Sequence, residues 1–421
     1  MFRNFIILSL LCGILKALSL EEAINLTLSH NPNIKEQEYL LQESHANYRT
    51  YQSPFYPSLN LTYGTQKSDR LQRIDKKTSG NLGGNLQYNL FNGFSDVYDL
   101  KSAGALLQAQ NYQLEATRED MVLLVKSAYI DVLRQAKNVE IAEQSRVVLE
   151  EQRRQNAEFY RVGLIQKNDL LKVEVELNNT LQNLLSYKSA LNYALRNLER
   201  YTRTKVTLED LEELKPKRWN LNFENLKKEM LQRRAEILFM DKIIESKAYL
   251  VQSAKGNFLP AINVIGSYMR YGDDYALRGR EGIYKDETSV QLSLNLNLFN
   301  GFNDRFNVES AKKNRLAFES QRTALIEDLE LQLFGVLENY NLALNALEIA
   351  KIAHKQAEEN YRISKNRYDQ KIDSTSDFLD AELSLTQARI NVAINTYAII
   401  ESLAQIERIT QTALIIDSNL L

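Results

Sequence analysis

The sequence predicts a mainly α-helical chain that is built from an internal duplication and carries four β-strands. The pentapeptide Leu-Phe-Asn-Gly-Phe occurs twice, at residues 90–94 and 298–302. Each copy follows a segment in which apolar and polar residues alternate, which is the period of a β-strand. Each copy also precedes a long stretch without proline, and such stretches are typical of very long helices.

The two copies keep one register over most of their length. Downstream of the pentapeptide, residues at an offset of 208 correspond, so that Tyr160 matches Tyr368. Upstream the offset is 203, so that Pro57 matches Pro260. The difference of five residues fits one longer loop between Pro260 and Leu298. A gapless register over helices of this length indicates duplication of a whole structural unit.

The composition excludes several classes of protein. The chain of 421 residues has a formal charge of -2 and no basic block, which argues against a nucleic-acid partner. Its 22 tyrosines and 15 phenylalanines are many for a plain coiled coil and indicate a second environment. The three histidines are far apart, and no catalytic triad, phosphate loop or metal-ligand spacing occurs. We therefore expect no enzymatic activity, no cofactor and no metal site.

The first residues predict a signal peptide over 1–19. A charged start precedes an apolar run that is too short to span a bilayer, and Ala17 and Ser19 suit a cleavage site after Ser19. The alternative is a buried N-terminal helix. Cys12, the only cysteine, would leave with the signal, and Leu11 before it does not fit a lipoprotein signal. The mature chain is then expected to have no disulfide.

The alternating segments indicate strands of a membrane barrel. Over 81–90 and 289–298 an apolar face alternates with asparagine, glutamine, serine and glycine. A soluble sandwich usually carries charges on its outer face, whereas uncharged polar partners suit a water-filled lumen with lipid outside. Aromatic residues cluster near the strand ends, as in an interfacial girdle: Tyr56, Tyr63, Tyr88, Phe91, Phe94, Tyr268, Tyr271, Phe299 and Phe302.

Four strands cannot close a barrel alone, and open sheet edges are not tolerated in lipid. The chain must therefore oligomerise if its strands span a membrane. Three protomers give a trimeric barrel of 12 strands, an even number within the range of such barrels.

The proline-free stretches predict helices of roughly 100 Å at 1.5 Å per residue. They begin at about Ser95 and Asn303, and each turns back, at 163–168 and at 371–374. Heptad spacing predicts that they pack along their length, although heptads alone also suit a plain coiled coil. The heptad positions are Leu177, Leu181, Leu184, Leu191, Leu195 and Leu198, and Leu329, Leu333, Val336, Tyr340, Ala343, Leu347 and Ala350.

These elements predict a domain order with two equivalent repeats. After the signal peptide at 1–19, the domains are repeat 1 at 20–205, a connector (equatorial segment) at 206–222, repeat 2 at 223–413 and a C-terminal tail at 414–421. Each repeat is expected to contain a helix, a β-hairpin at about 57–91 or 260–299, and a long helical hairpin at about 95–201 or 303–412.

The chain resembles the TolC-type outer-membrane efflux protein family over nearly all of the mature sequence. The resemblance rests on the duplication, the pentapeptides, and the motifs at 160–163 and 368–371, which are followed by Asp169 and Asp377. It implies a homotrimer whose barrel in outer-membrane lipid continues as a helical tunnel through the periplasm. It also implies an inner-membrane pump and a periplasmic adaptor protein as partners, and no catalysis.

The resemblance also implies roles for residues at the helical turns. Asp377 and Asp380 match the family's acidic constriction ring at the periplasmic end of the tunnel. Three chains would bring six carboxylates together, which favours cations and raises the carboxyl pKa values by repulsion. The alternative is that both aspartates lie in the first turn of a helix, where the helix dipole favours them and Ser374 can form the N-cap.

A second role concerns closure of the tunnel. Tyr368 matches a family residue that ties the closed end to an aspartate on the neighbouring hairpin, here Asp169. A second family tie uses an arginine where this chain has Asp373, and a family glycine is replaced by Lys371. We expect the closed state to be held more weakly or by other groups, such as Lys167 or Lys371.

The predicted function is an outer-membrane exit duct of a tripartite efflux system for drugs, detergents or ions. An alternative of the same architecture is the outer-membrane component of a type I protein secretion system. A different class is a structural coiled-coil envelope protein. The alternating strands count against that class, because a filament has no use for two β-hairpins with lipid-like faces.

Overall fold

The computed structural model describes residues 18–67, 78–279 and 284–414. The predicted signal peptide and C-terminal tail lie almost entirely outside the described residues. In this part of the chain the α-helices are α1 (Leu20–His30), α2 (Pro32–Thr50), α3 (Ser95–Arg161), α4 (Lys167–Thr202), α5 (Phe223–Arg233), α6 (Ala235–Gly256), α7 (Asn303–Asp369) and α8 (Thr375–Thr410). The strands are β1 (Ser58–Lys67), β2 (Thr78–Asn92), β3 (Ala261–Gly272) and β4 (Asp286–Asn295).

The duplication is visible in the backbone. Helices α3 and α7 both have 67 residues, and α4 and α8 both have 36. Positions with a left-handed backbone also recur at the offset of 208. Phe94 and Phe302 have φ of 65° and 66°, and Arg203 and Gln411, which end α4 and α8, have 58° and 52°. The equivalence therefore extends from sequence to element length and backbone conformation.

The four strands form one antiparallel sheet in the order β1-β2-β3-β4. Strand β2 of the first repeat pairs with β3 of the second, so one sheet joins both repeats. Opposed residues share a face, and the register aligns Leu59 with Leu86, and Val264 with both Tyr88 and Leu292. A bulge at Leu90 shifts the register between β2 and β3. The predicted alternation is confirmed over most of the sheet. The exceptions are Arg270 and Asp286 on the face of Leu86, and Ile265 and Met269 on the polar face.

The pentapeptides form the corners between strand and long helix. In the first corner Asp96, in the first turn of α3, accepts hydrogen bonds from the side-chain amides of Asn89 (2.7 Å) and Asn92 (3.2 Å). A carboxylate is also favoured there by the helix dipole. Gly93 has φ 61°, and a Cβ at this position would meet the carbonyl of Gly256. Only glycine fits this corner.

The second corner repeats the first. Asp304 of α7 accepts hydrogen bonds from Asn297 (3.0 Å) and Asn300 (2.7 Å). Its two phenylalanines, Phe299 and Phe302, pack edge to face at 5.3 Å, as Phe91 and Phe94 do at 5.0 Å in the first corner. The repeated pentapeptide therefore encodes a structural corner.

The chain divides into two compact units. One comprises Glu36–Glu115 and Ala235–Ile326 and contains the sheet. The other comprises residues 18–35, Ala116–Arg234 and residues 327–414. The core of this second unit includes apolar residues of α1, α3, α4 and α8, and the predicted heptad seams are buried at these residues: Leu177, Leu184, Leu198, Leu329, Leu333, Tyr340, Ala343, Leu347 and Ala350.

The connector packs beside the helices of the second unit. The Tyr129 hydroxyl of α3 lies 3.0 Å from the carbonyl oxygens of Leu18 and Glu212 and accepts a hydrogen bond from the Glu212 N–H at 2.7 Å. Burial raises the pKa of Tyr129 to about 12, so the hydroxyl stays a donor. The Tyr340 hydroxyl of α7 bonds in the same way to the backbone of Trp219. Two buried tyrosines thus fix the connector.

Among the residues that the structure describes, no helix is both long enough and apolar enough to cross a membrane.

Candidate functional site: the hairpin ends

The residues with predicted roles lie at the ends of the two helical hairpins, which we define as residues 160–169 and 368–380. Both hairpins turn with the same backbone hydrogen bonds. Leu164 N–H donates to the Phe159 carbonyl at 2.8 Å, and Ile372 N–H donates to the Arg367 carbonyl at 2.8 Å. This is the Schellman pattern, which requires a left-handed residue after the helix.

The left-handed residue is glycine in the first hairpin and lysine in the second. Gly163 has φ 77°, and Lys371, at the equivalent position, has φ 64°. A side chain in this conformation costs roughly 1–2 kcal/mol, so the lysine carries a backbone penalty that glycine would avoid.

The Lys371 side chain makes contacts that offset this penalty. Its ammonium lies over the ring of Phe159, at the end of α3, and 5.4 Å from the ring centre of Tyr368. Cation–π contacts at such sites contribute about 0.5–1 kcal/mol each. Burial lowers the pKa of Lys371. Lys371 thus links the two hairpins of one chain.

Asp377 belongs to the capping box at the N-terminus of α8, in which Ser374 is the N-cap and Asp377 the N3 residue. The Ser374 hydroxyl accepts a hydrogen bond from Asp377 N–H at 3.2 Å, and the Asp377 carboxylate accepts from the Ser374 N–H (3.0 Å) and hydroxyl (2.7 Å). These hydrogen bonds hold the pKa of Asp377 below its ordinary value, with a smaller contribution from Arg367. The capping alternative is therefore realised within one chain.

Asp380 lies one helical turn beyond Asp377, and both carboxylates are exposed to solvent. Asp380 lines a groove of about 440 Å³ between α4 and α8 with Leu171, Val175 and Leu383. A ring needs carboxylates from several chains, so the constriction stays a prediction of the trimer.

Tyr368 is buried between the two hairpins. Its hydroxyl donates a hydrogen bond to Oδ1 of Asn156 on α3 at 2.5 Å and lies 3.4 Å from the Thr375 hydroxyl. Asp169, its expected partner, has a salt bridge to Lys172 at 4.0 Å. Because a hydroxyl has one proton, the tie from Tyr368 to Asp169 requires the bond to Asn156 to break. That tie stays a prediction.

Asp373 is paired within its own turn. Its carboxylate accepts a hydrogen bond from Arg367 Nε at 2.7 Å. The Asp373 carboxylate is thus neutralised by an arginine of the preceding helix, and this ion pair stabilises the turn. The structure also links the hairpins by a hydrogen bond from Lys172 to the Ser376 hydroxyl at 2.8 Å.

A buried carboxyl group lies further along α8. Glu382 is 5% exposed and accepts hydrogen bonds from the hydroxyls of Ser145 (2.6 Å) and Thr386 (3.0 Å). Burial raises the pKa of Glu382, against the opposing effect of these hydrogen bonds, and the nearby Glu176 raises it further.

Sequence reasoning missed Asn156, Ser145 and Glu382. A signal was present, because polar residues replace apolar ones along the buried stripe of α3. Ile141, Ser145, Leu149, Gln152 and Asn156 recur three or four residues apart, and all five are buried. Polar residues at such positions indicate buried hydrogen bonds, although the sequence does not name their partners.

Among the described residues, no cluster of three or more histidine, cysteine, aspartate or glutamate side chains is arranged to hold a metal ion.

Comparison with known proteins identifies the family. The model of the outer membrane efflux protein family matches residues 23–202 and, separately, residues 226–411. The chain belongs to this family. Each matched segment lies within one of the two predicted repeats, 20–205 and 223–413, of this efflux protein. As the family is made up of outer-membrane channels, the protein is an outer-membrane efflux channel and not an enzyme.

Its relatives include the outer membrane protein TolC of two bacteria. The protein of Vibrio cholerae is 22% identical over 363 residues, which cover 85% of this chain and 82% of the relative. The protein of Escherichia coli is 21% identical over 369 residues, which cover 82% of this chain and 73% of the relative.

Solved channels share the fold of this efflux protein. The CmeC outer membrane channel of Campylobacter jejuni has a TM-score of 0.81 at 17% identity, covering 93% of this chain and 85% of CmeC. The MtrE outer membrane channel of Neisseria gonorrhoeae, in its open state, has a TM-score of 0.77 at 15% identity, covering 93% and 88%. The predicted fold class, mainly helical with a β-barrel part and a long helical tunnel, is confirmed.

Proposed function

We propose that this efflux protein assembles as a homotrimer whose three four-stranded sheets close one 12-stranded barrel in the outer membrane. The observation that carries this proposal is the sheet itself. Strands β1 and β4 each pair on one side only among the described residues, so both edges of the sheet are open. Open edges in lipid leave backbone groups without hydrogen bonds, and closure with other copies removes them.

The faces of the sheet support a membrane location for these strands. Leu59, Leu61, Val290 and Leu292 are between 69% and 79% exposed, although they belong to regular strands. Such an exposed apolar face would be costly in water and is favourable against lipid. The opposite face carries uncharged polar pairs such as Ser267 and Ser289, whose hydroxyls are 2.7 Å apart, and it suits a water-filled lumen.

We further propose that the helical hairpins carry the duct through the periplasm to an adaptor protein, with an inner-membrane pump as the source of energy. Family membership supports this assembly, as do the lengths of the helices. Helices α3 and α7, at 67 residues each, reach roughly 100 Å at 1.5 Å per residue.

In this proposal the hairpin ends form the narrow end of the duct. Asp377 and Asp380 of three chains supply a constriction that favours cations, and Tyr368 contributes to its closed state. Opening requires the hairpins of one chain to separate, and the contacts that resist separation are those of Asn156 with Tyr368 and of Phe159 with Lys371.

The first test is membrane fractionation followed by native mass spectrometry of the detergent-extracted protein. The proposal predicts a species of three chains in the outer-membrane fraction. A monomer or dimer from that fraction would overturn the trimer while leaving the family assignment intact. Co-purification with a chemically cross-linked adaptor then tests the wider assembly, and an uncross-linked sample is its control.

A further inference from the structure

A cavity of about 340 Å³ lies within the second unit, among α3, α7, α8 and the connector. Its apolar wall consists of Ile141, Val392, Ala393 and Tyr397. This volume is within the range of pockets that bind small molecules, which are mostly apolar and carry a few convergent polar groups. No residue of the hairpin ends lines it, so it is separate from the predicted constriction.

The cavity contains polar groups without partners. Tyr397 is 7% exposed, and its hydroxyl has no hydrogen-bond partner among the described residues. Burial raises the pKa of Tyr397, as do the charges of Glu213 and Glu140, so the hydroxyl remains protonated and lies near two carboxylates. Nε2 of His354, which also lines the cavity, is likewise buried without a partner.

The charges around the cavity do not balance. Glu140 is paired with Lys137 at 2.7 Å, and Arg389 donates to the neutral side chain of Gln144 at 3.2 Å. Glu213 of the connector and Glu358 of α7 also line the cavity.

Neither Glu213 nor Glu358 has an ion pair or hydrogen bond within the described part of the chain. Three carboxylates thus face two cations among the lining residues. Of these described residues, the groups without an ion pair are the exposed Glu213 and Glu358 and one cation, Arg389, so one negative charge remains in excess. A positively charged ligand would restore the balance.

We propose that this cavity binds a small amphipathic organic cation. Its apolar part would lie against Val392, Ala393 and Tyr397, and its ammonium group would face Glu213 and Glu358. An ammonium can also donate a hydrogen bond to the Tyr397 hydroxyl oxygen, which a quaternary cation cannot do. The proposal concerns a binding site in the wall of the helical body and does not depend on the trimer or on the acidic constriction.

The test uses three ligands with a similar apolar part and different charge: naphthylmethylamine, naphthylmethanol and naphthoate. Their binding to the full-length protein in lipid nanodiscs is measured by saturation-transfer NMR, with empty nanodiscs as the reference for partition into lipid. The ammonium compound is expected to bind most tightly and the carboxylate most weakly. Equal binding of all three would overturn the proposal.

Variants locate the site. Replacing both glutamates (Glu213→Gln with Glu358→Gln) is expected to weaken amine binding by about five- to tenfold, because each exposed ion pair contributes about 0.2–1 kcal/mol. Tyr397→Phe should weaken it further. The matched control is Glu338→Gln, an exposed glutamate of α7 that does not line the cavity.

The Ala393→Leu variant tests the apolar wall independently. Ala393 is buried, and the larger side chain would occupy the cavity, so binding of the amine and the alcohol should both fall. The melting temperature and native mass of every variant show whether it remains folded. Unchanged amine affinity in both the double variant and Ala393→Leu would contradict the proposed site.

Discussion

Tyr368 and Asn156 hold the two helical hairpins together through one short hydrogen bond between buried side chains. Tyr368 is 3% exposed and Asn156 is inaccessible, so water cannot replace either partner. The Tyr368 ring also packs on Phe378 of α8, at 5.3 Å between ring centres. Tyr368, which has a predicted role in closure, is therefore held by Asn156 and not by the predicted partner Asp169.

This arrangement predicts different effects on conductance for substitutions of Asn156 and of Asp169, the two candidate partners of Tyr368. Tyr368→Phe and Asn156→Ala should each raise the single-channel conductance, because a buried hydrogen bond contributes about 0.5–1.5 kcal/mol to the closed state. The double variant should add little to either single one. If Asp169→Ala raises the conductance and Asn156→Ala does not, the family's tie operates in this protein and the Asn156 bond is incidental.

Glu382 predicts a dependence of stability on pH. Its pKa is raised by burial, so the folded protein keeps a proton that the unfolded chain has lost. Stability therefore falls as pH rises from the ordinary glutamate pKa through the raised one. The melting temperature of the wild type should fall as the pH rises above the ordinary glutamate pKa, and Glu382→Gln should reduce this fall.

The duplication offers a matched control for that experiment. Glu174 of α4 occupies the position equivalent to Glu382 in the first repeat, and it is partly exposed. Glu174→Gln should leave the pH dependence of the melting temperature unchanged. An equal effect of the two substitutions would mean that burial of Glu382 is not the cause.

At the scale of elements, the sequence alone predicted much of what the structure contains. Periodicity placed the strand faces correctly, since alternation depends on local sequence and the register preserves it. It also predicted the long helices within a residue or two, because no proline interrupts them. The partner of Tyr368 could not be predicted from the sequence, because it depends on how two distant segments pack.

The sheet predicts unequal tolerance of charge on its two faces. Leu61 and Asn60 are neighbours in β1 and point to opposite faces. Leu61→Arg should lower the amount of folded protein in the outer membrane, because arginine facing the bilayer midplane costs about 2–4 kcal/mol. Asn60→Arg should be tolerated, since its side chain would face water. Quantitative immunoblots of the outer-membrane fraction provide the measurement, and equal losses would contradict the assignment of faces.

At the scale of the whole molecule, the family resemblance predicted an outer-membrane channel without catalysis, and the family match confirms this class. The number of chains, the adaptor and the pump do not follow from one chain, because they depend on surfaces that other molecules complete. The acidic ring also depends on other chains, because within one chain the Asp377 carboxylate takes part in the capping box of α8.

The ring and the cap can be separated by experiment. Asp380→Asn removes a charge and leaves the capping box intact, so cation selectivity should fall with little change in stability. Ser374→Ala removes the cap and leaves both carboxylates, so it should cost about 1 kcal/mol and leave selectivity unchanged. Reversal potentials in a salt gradient and thermal melting are the two measurements. A loss of selectivity in Ser374→Ala alone would contradict the ring.

The equal lengths of the paired helices restrict how such a protein can change during evolution. An insertion of one heptad in α3 alone would lengthen that helix by about 10 Å relative to its counterpart α7. The two helical hairpins would then end at different levels. Asn156 and Phe159 would no longer lie beside Tyr368 and Lys371. Insertions and deletions in this lineage should therefore occur in both repeats together, in whole heptads that preserve the buried seams.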